Sequence, residues 1–273
     1  MPEHILSLSY GKDSLACLGA IERLGWPLDR IVHAEVWATD TIPADLPPMV
    51  EFKAKADKII KERWGIEVEH ISAEKSGEKW TFEKNFYKRV TPENLQKRIA
   101  CKNWVKRGIS NIYGFPSRKG PWCNKLKFRG SVGWNGAVTY AGIASDEKER
   151  VERWTGRLKM PLVDAGWTEA MCRRWCEENN LISPIYTTAT RGGCWFCHNQ
   201  SVGQLRILRK NYPELWTLML KWDADSPVTF KADGHTVHDF DRRFALEDEG
   251  LLYPNDRVFR WSMLDEELNI RFF

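Results

Sequence analysis

Two short stretches hold residues whose types and spacing suit chemistry. In Ser9-Tyr10-Gly11-Lys12-Asp13-Ser14, two serine hydroxyls, a lysine, a carboxylate and a glycine stand together. An apolar run from Ile5 to Leu8 precedes them, and Leu15, Leu18, Ile21 and Leu24 follow at helical spacing. The pattern predicts strand, loop, helix, which gathers backbone N–H groups and the positive end of a helix dipole around one anion-sized space. Lys12 could then neutralise a phosphate oxygen while Ser9 and Ser14 donate hydroxyl hydrogen bonds. The spacing is not the Walker pattern, whose glycines and lysine stand differently. An ordinary helix start is the plainer reading of the same residues.

The second stretch is Cys194-Trp195-Phe196-Cys197 after Gly192-Gly193. Two thiolates at this spacing can hold one metal or two irons of a cluster, and they can also cycle through a disulfide. Cys123, in the Gly/Pro-rich segment Gly120-Pro121-Trp122-Cys123, is the candidate third thiolate, with Cys101, Cys176 and His198 as candidates for a fourth ligand. Cys17, Cys172 and Cys176 lie among apolar residues at helical spacing and read as buried small hydrophobes.

The elements that must position these groups alternate. A second strand is expected at about Ile31 to Trp37, a helix from about Leu46 to Trp64, a third strand at about Ile66 to Ile71 and a further one at Val138 to Ile143. Such alternation predicts an α/β fold with a parallel sheet and helices on its faces. Between about Ser72 and Asn135 the pattern loosens into Lys-rich sequence punctuated by Gly and Pro, which reads as a Cys-bearing insertion or lid. Thr168 is an N-cap candidate for a helix that carries Cys172 and Cys176 on one face. Beyond the Gly192-Gly193 turn the chain reads as helical, with Leu205, Leu208, Leu215 and Leu218 as core positions. The expected organisation is a core over 1–190, with the insertion at about 72–135, and a helical region over 191–273 packed on it.

Several of these segments, in this order, resemble the phosphoadenosine-phosphosulfate (PAPS) reductase-like family of the adenine nucleotide alpha hydrolase, or ATP pyrophosphatase (PP-loop), superfamily. Ser9 to Ser14 is similar to the S-G-G-K-D-S loop that grips the pyrophosphate of ATP, with Tyr10 where that loop usually has glycine. Trp37-Ala38-Thr39-Asp40-Thr41 resembles the segment that approaches ribose and adenine, and Asp40 could equally cap a helix. Gly142-Ile143-Ala144-Ser145-Asp146-Glu147, followed by Arg150, is similar to the G-I-x-x-D-E loop near the nucleotide. Ser183-Pro184-Ile185-Tyr186 and Arg191 to Cys197 continue the order, and Cys123 matches an upstream Trp-Cys.

The resemblance implies a Rossmann-like core and an enzyme that binds ATP or PAPS with magnesium. Its catalytic residues would be Lys12, Asp13 and Ser14. Nucleotide contacts would come from Ser9, Tyr10, Gly11, Lys12, Ser14, Asp40, Gly142, Asp146, Glu147 and Arg150. Cys123, Cys194 and Cys197 would hold zinc or an iron–sulfur cluster. ATP-dependent adenylation of an acceptor coupled to sulfur transfer is the leading expectation. True PAPS reductases resemble one another in a C-terminal E-C-G-x-H motif, and no cysteine follows Cys197 here. A reductase with unusual thiols and a non-catalytic nucleotide or nucleic-acid binder with structural zinc are the competing readings.

Composition bounds the rest. The 273 residues are 42% hydrophobic, enough for a full core. A net charge of +4, from 41 basic and 37 acidic residues, falls short of the balance of a dedicated nucleic-acid binder. The basic, aromatic segments Lys102 to Arg107 and Lys125 to Arg129 nevertheless suit phosphate contacts and base stacking, so a nucleic acid stands among the candidate acceptors, beside a sulfur donor as partner. The fourteen tryptophans read mainly as core and interface filler. His235, His238, Asp239 and Asp233 could form a small polar site, and a structural role suits them better. No basic segment followed by an apolar stretch opens the sequence and no run approaches a membrane span, so the expected location is the cytoplasm, with cysteines reduced.

Overall fold

The computed structural model describes residues 2–75, 77–87, 115, 136–156, 158–187, 192–226 and 229–264. They group into two compact units, one within Met1–Asn85 and Pro121–Trp195 and the other within Phe86–Gly120 and Phe196–Phe273. Cys101, Cys123, Arg191 and both Lys-rich aromatic segments lie outside the described residues.

The first unit is α/β. Strands β1 (His4–Ser7), β2 (Arg30–Glu35), β3 (Val68–Ser72) and β6 (Val138–Tyr140) form one parallel sheet in the order β3-β2-β1-β6. Ile5 pairs with Arg30 on one side and with Thr139 on the other, so β1 is central and its carboxyl end lies between two neighbouring loops. Helix α1 (Lys12–Leu24) returns from β1 and stops where Gly25 takes φ 64° and donates its N–H to the last carbonyls. Helix α2 (Pro47–Trp64) starts on two prolines, whose missing N–H groups cost nothing in a first turn, and ends at Gly65 with φ 70°.

The core joins Leu6, Leu8, Leu15, Leu18, Ile31, Phe52 and Ile60, all buried. Helix α6 (Glu169–Glu178) covers α1, its N-cap Thr168 accepting the Met171 N–H as the sequence predicts. Cys172 and Cys176 face inward on it. The contact is close at Gly19, where a Cβ would stand 2.4 Å from the Trp175 ring. Two short helices, α4 (Lys148–Trp154) and α5 (Pro161–Asp164), complete the unit between β6 and α6.

Two boundaries differ from expectation. Pairing along β2 ends at Glu35 because the chain doubles back: Ala44 N–H donates to Val36 O at 2.9 Å and Ala38 N–H to Ile42 O at 2.8 Å. β6 ends at Tyr140 because Ala141 N–H turns to Lys159 O at 3.0 Å. Of the segment after Ser72, the part that the structure describes up to Tyr87 carries regular elements. It holds the hairpin strands β4 (Glu74–Lys75) and β5 (Glu78–Lys79), then helix α3 (Phe82–Tyr87). Two-residue strands of Glu and Lys leave no hydrophobic period to read.

The second unit is helical. Helix α7 (Val202–Asn211) and helix α9 (Val237–Asp248) both begin in capping boxes, made by Ser201 with Gln204 and by Thr236 with Asp239. Helix α8 (Pro213–Asp225) lies between them in sequence. Leu205 and Leu208 are buried as expected, whereas Leu215 and Leu218 are only half-buried. The buried side of α8 is Trp216, Met219 and Trp222, because the larger rings claim the core and rotate the leucines to its margin. Buried Arg243 holds Glu247 at 2.8 Å and also pairs with Asp256. Among the described residues no helix is long and apolar enough to cross a membrane.

Candidate functional site

The loop between β1 and α1 is closed by one hydroxyl. Ser14 Oγ accepts the Ser9 backbone N–H at 3.1 Å and the Ser9 hydroxyl at 3.0 Å, and donates to Gly11 O at 3.0 Å. Gly11 is the N-cap of α1 and has no side chain to satisfy the first turn. Part of that task falls to Tyr186, whose hydroxyl accepts the Lys12 N–H at 3.0 Å. Gly142 presses on the loop from the β6 side, since a Cβ there would lie 2.6 Å from both Ser14 Cα and Ser14 N. Only glycine fits so close a backbone approach.

Tyr10 takes φ 54°, a left-handed conformation costly for a residue with a Cβ. This is the position where the resembled loop carries glycine. Its ring is fully buried and its hydroxyl donates to Asp57 and meets His70 Nε2 at 3.1 Å. Burial, then the Asp57 carboxylate, push the phenol pKa up. The anchor supplied by the side chain offsets the backbone strain.

Beside this loop opens a cavity of about 510 Å³. Ser9, Tyr10, Gly11 and Ser14 line it from the loop, His33 and Asp45 from the β2 side, Gly142 and Arg150 from the β6 side. Tyr186, Gly192, Gly193 and Cys194 complete its wall. Ligands of open α/β sheets bind at the carboxyl ends of the strands, which is where this cavity lies.

Not every residue expected here reaches it. Lys12 and Asp13 are not among the lining residues: Lys12 Nζ binds Asp13 at 2.7 Å and Glu169 at 3.5 Å. Burial works against the Lys12 ammonium, but the Asp13 hydrogen bond and the nearby carboxylates outweigh it and raise its pKa. Burial raises the Asp13 carboxyl, which Lys12 opposes and Glu169 and Glu147 reinforce.

Asp13, Glu147 and Glu169 bring carboxylate oxygens within 4.8 Å of one another, a donor set that suits a hard divalent cation. Lys12 and Arg150 already balance two of these charges, Arg150 through its pair with Glu147. Asp146 instead accepts the Glu169 N–H at 3.0 Å and so fixes the start of α6.

Asp40 stands apart from the cavity. The back-folded segment after Val36 carries it to the exposed tip, where it pairs with Lys84 at 2.8 Å. Asp45, which the sequence pattern did not single out, is returned to the strand end by the same fold. Trp195 secures that segment by donating its N–H to Ala44 O at 3.0 Å and its indole N–H to Pro43 O at 2.9 Å.

Of the expected metal ligands, Cys194 lies in the cavity wall and Cys197 belongs to the second unit, both half-buried. Their thiol chemistry fits zinc or iron–sulfur ligation. Cys176 does not suit a fourth ligand: it is buried and donates to Lys12 O at 3.2 Å, hence a protonated thiol. His198 is buried in the second unit. His235 stacks on Trp261 at 3.7 Å, Asp239 serves the α9 cap, and His238 Nδ1 sits 2.6 Å from Asp223, so these residues have structural partners. Asp233 Oδ1 takes the His235 N–H at 3.3 Å, local turn chemistry of the same kind.

No protein-family model and no curated protein matches this chain.

Proposed function

We propose that this chain is a PAPS reductase-like enzyme of the ATP pyrophosphatase type, which binds an adenine nucleotide at the Ser9–Ser14 loop and adenylates an acceptor. The observation that carries the reading is the closed loop itself. It joins the central strand to α1, is pressed by Gly142 and opens on a cavity large enough for a nucleotide.

On this reading the acceptor oxygen attacks the α-phosphorus and pyrophosphate leaves. Ser9, Gly11 and Ser14 would present hydroxyl and backbone donors to the departing oxygens, and Arg150 would supply positive charge from the β6 side. Lys12 would exchange its carboxylate partners for phosphate. Asp13, Glu147 and Glu169 would hold magnesium, which supplies charge neutralisation when bound.

Displacement of AMP from the adenylated acceptor by a sulfur nucleophile would complete the reaction. Cys194 lies in the cavity wall, and Cys123, Cys194 and Cys197 would be the thiolate ligands of a metal or iron–sulfur cluster that carries the sulfur.

The test is release of pyrophosphate from ATP in the presence of candidate acceptors, with adenylated product followed by mass. Pyrophosphate formation that Ser14→Ala abolishes supports the reading. Reduction of PAPS or adenosine phosphosulfate without pyrophosphate would make the chain a reductase, and binding without turnover would make it a nucleotide-binding module.

A further inference from the structure

Asp45 is the acidic side chain that the fold delivers to the cavity from the β2 side. Its Oδ2 lies 2.5 Å from Lys53 Nζ. Lys53 is itself buried and also lies 2.7 Å from His33 Nε2. His33 Nδ1 sits 2.8 Å from Leu8 O, and a carbonyl can only accept. The tautomer with its proton on Nδ1 satisfies both contacts, Nδ1 donating to Leu8 O and Nε2 accepting from Lys53.

This arrangement leaves one acceptor for a ligand. Asp45 Oδ1 takes no hydrogen bond among the described residues, while the compensating cation, Lys53, stands behind the wall and outside the lining. The strand order fixes the rest of the geometry. Arg150 follows β6 and Asp45 precedes α2 after β2, so they approach the central phosphate loop from opposite sides. The cavity is polarised, with anion donors at the loop and Arg150 and an anionic acceptor on the β2 side.

We infer that Asp45 accepts hydrogen bonds from the ribose hydroxyls of the bound nucleotide, so that the site takes a ribonucleotide with its 2′ and 3′ hydroxyls free and rejects one phosphorylated there. The inference rests on the proposed nucleotide site and deepens it. A carboxylate following the second strand favours a free ribose hydroxyl, whereas a sugar phosphate calls for an arginine there. A phosphate beside Asp45 would face a like charge, and among the described residues no cation lines the cavity on that side.

The experiment is isothermal titration of the wild-type full chain with ATP, 2′,3′-dideoxy-ATP and ATP carrying a 3′-phosphate. Both analogues are expected to bind roughly 10- to 100-fold more weakly than ATP, the range for hydrogen bonds to a charged group. Asp45→Asn is expected to shrink the penalty against the 3′-phosphate, because the like charge is gone while the amide keeps the volume. Equal affinity for ATP and the dideoxy analogue, or tighter binding of the 3′-phosphorylated nucleotide, overturns the inference and leaves the nucleotide site standing. Failure of the wild type to bind any of the three overturns both. The wild-type arms decide the matter even where Asp45→Asn fails to fold.

Discussion

The Tyr10 phenol donates to Asp57 while the Tyr10 backbone stands at φ 54°, so one residue strains the phosphate loop and anchors it. Removing only the hydroxyl, in Tyr10→Phe, leaves Asp57 its contact with His70 at 2.9 Å and should cost about 1 kcal/mol. Tyr10→Gly relieves roughly 1 kcal/mol of backbone strain but empties the space of a fully buried ring, worth about 3–5 kcal/mol. Urea denaturation should therefore place the glycine variant about 2–4 kcal/mol below wild type. A glycine variant as stable as wild type would show that the ring is no anchor.

Gly142 and Gly19 separate two kinds of close packing. A methyl group at Gly142 meets the backbone of Ser14, which cannot yield without moving the loop, whereas at Gly19 it meets the Trp175 ring at the α1–α6 contact. Each alanine variant should lose roughly 1–3 kcal/mol. Only Gly142→Ala should also weaken nucleotide binding, because only it displaces Ser14. Comparable nucleotide affinity in the two variants at matched stability would contradict the placement of the site.

Much of this was legible in the sequence, and the exceptions have a common cause. Strand, loop and helix around Ser9–Ser14 follow from a short apolar run that gives way to helical spacing, and the parallel order follows from alternation. Whether Asp40 or Asp45 enters the cavity depends on the Ala44 to Val36 hydrogen bond, a backbone contact with no signature in residue type. Lys12 was readable as a loop cation, yet its pairing with Asp13 and Glu169 requires α6 to be packed in place. On α8 the leucines obeyed the helical period and still lost the core to Trp216 and Trp222, since one period fits more than one face.

Lys12 balances the carboxylates of Asp13 and Glu169, and its removal should expose them to each other. In Lys12→Met the cluster of Asp13, Glu147 and Glu169 keeps, among the described residues, Arg150 as its paired counter-charge, so its affinity for magnesium should rise. Thermal melts with and without magnesium should show a larger metal-induced increase for Lys12→Met than for wild type. Nucleotide affinity should fall in the same variant. A melting temperature indifferent to magnesium in both proteins would argue against these carboxylates as a cation site.

Beneath the loop, burial raises the thiols of Cys17, Cys172 and Cys176, with Cys172 pushed up to about 12. Below the ordinary thiol pKa of roughly 8.5 both folded and unfolded chains keep these protons, and the stability they contribute is complete. As pH rises past that value the unfolded chain loses protons first, so the folded state is progressively disfavoured until the folded pKa is reached. The slope approaches about 1.4 kcal/mol per pH unit for each such thiol. Urea midpoints should therefore fall between pH 7.5 and pH 9.5, and less steeply in Cys172→Ala with Cys176→Ala, which no longer carry the titrating groups. Equal slopes in the two proteins would mean that these thiols are not shielded in the folded chain, and alkylation of Cys176 in the native protein at pH 8 would say the same of its hydrogen bond to Lys12 O.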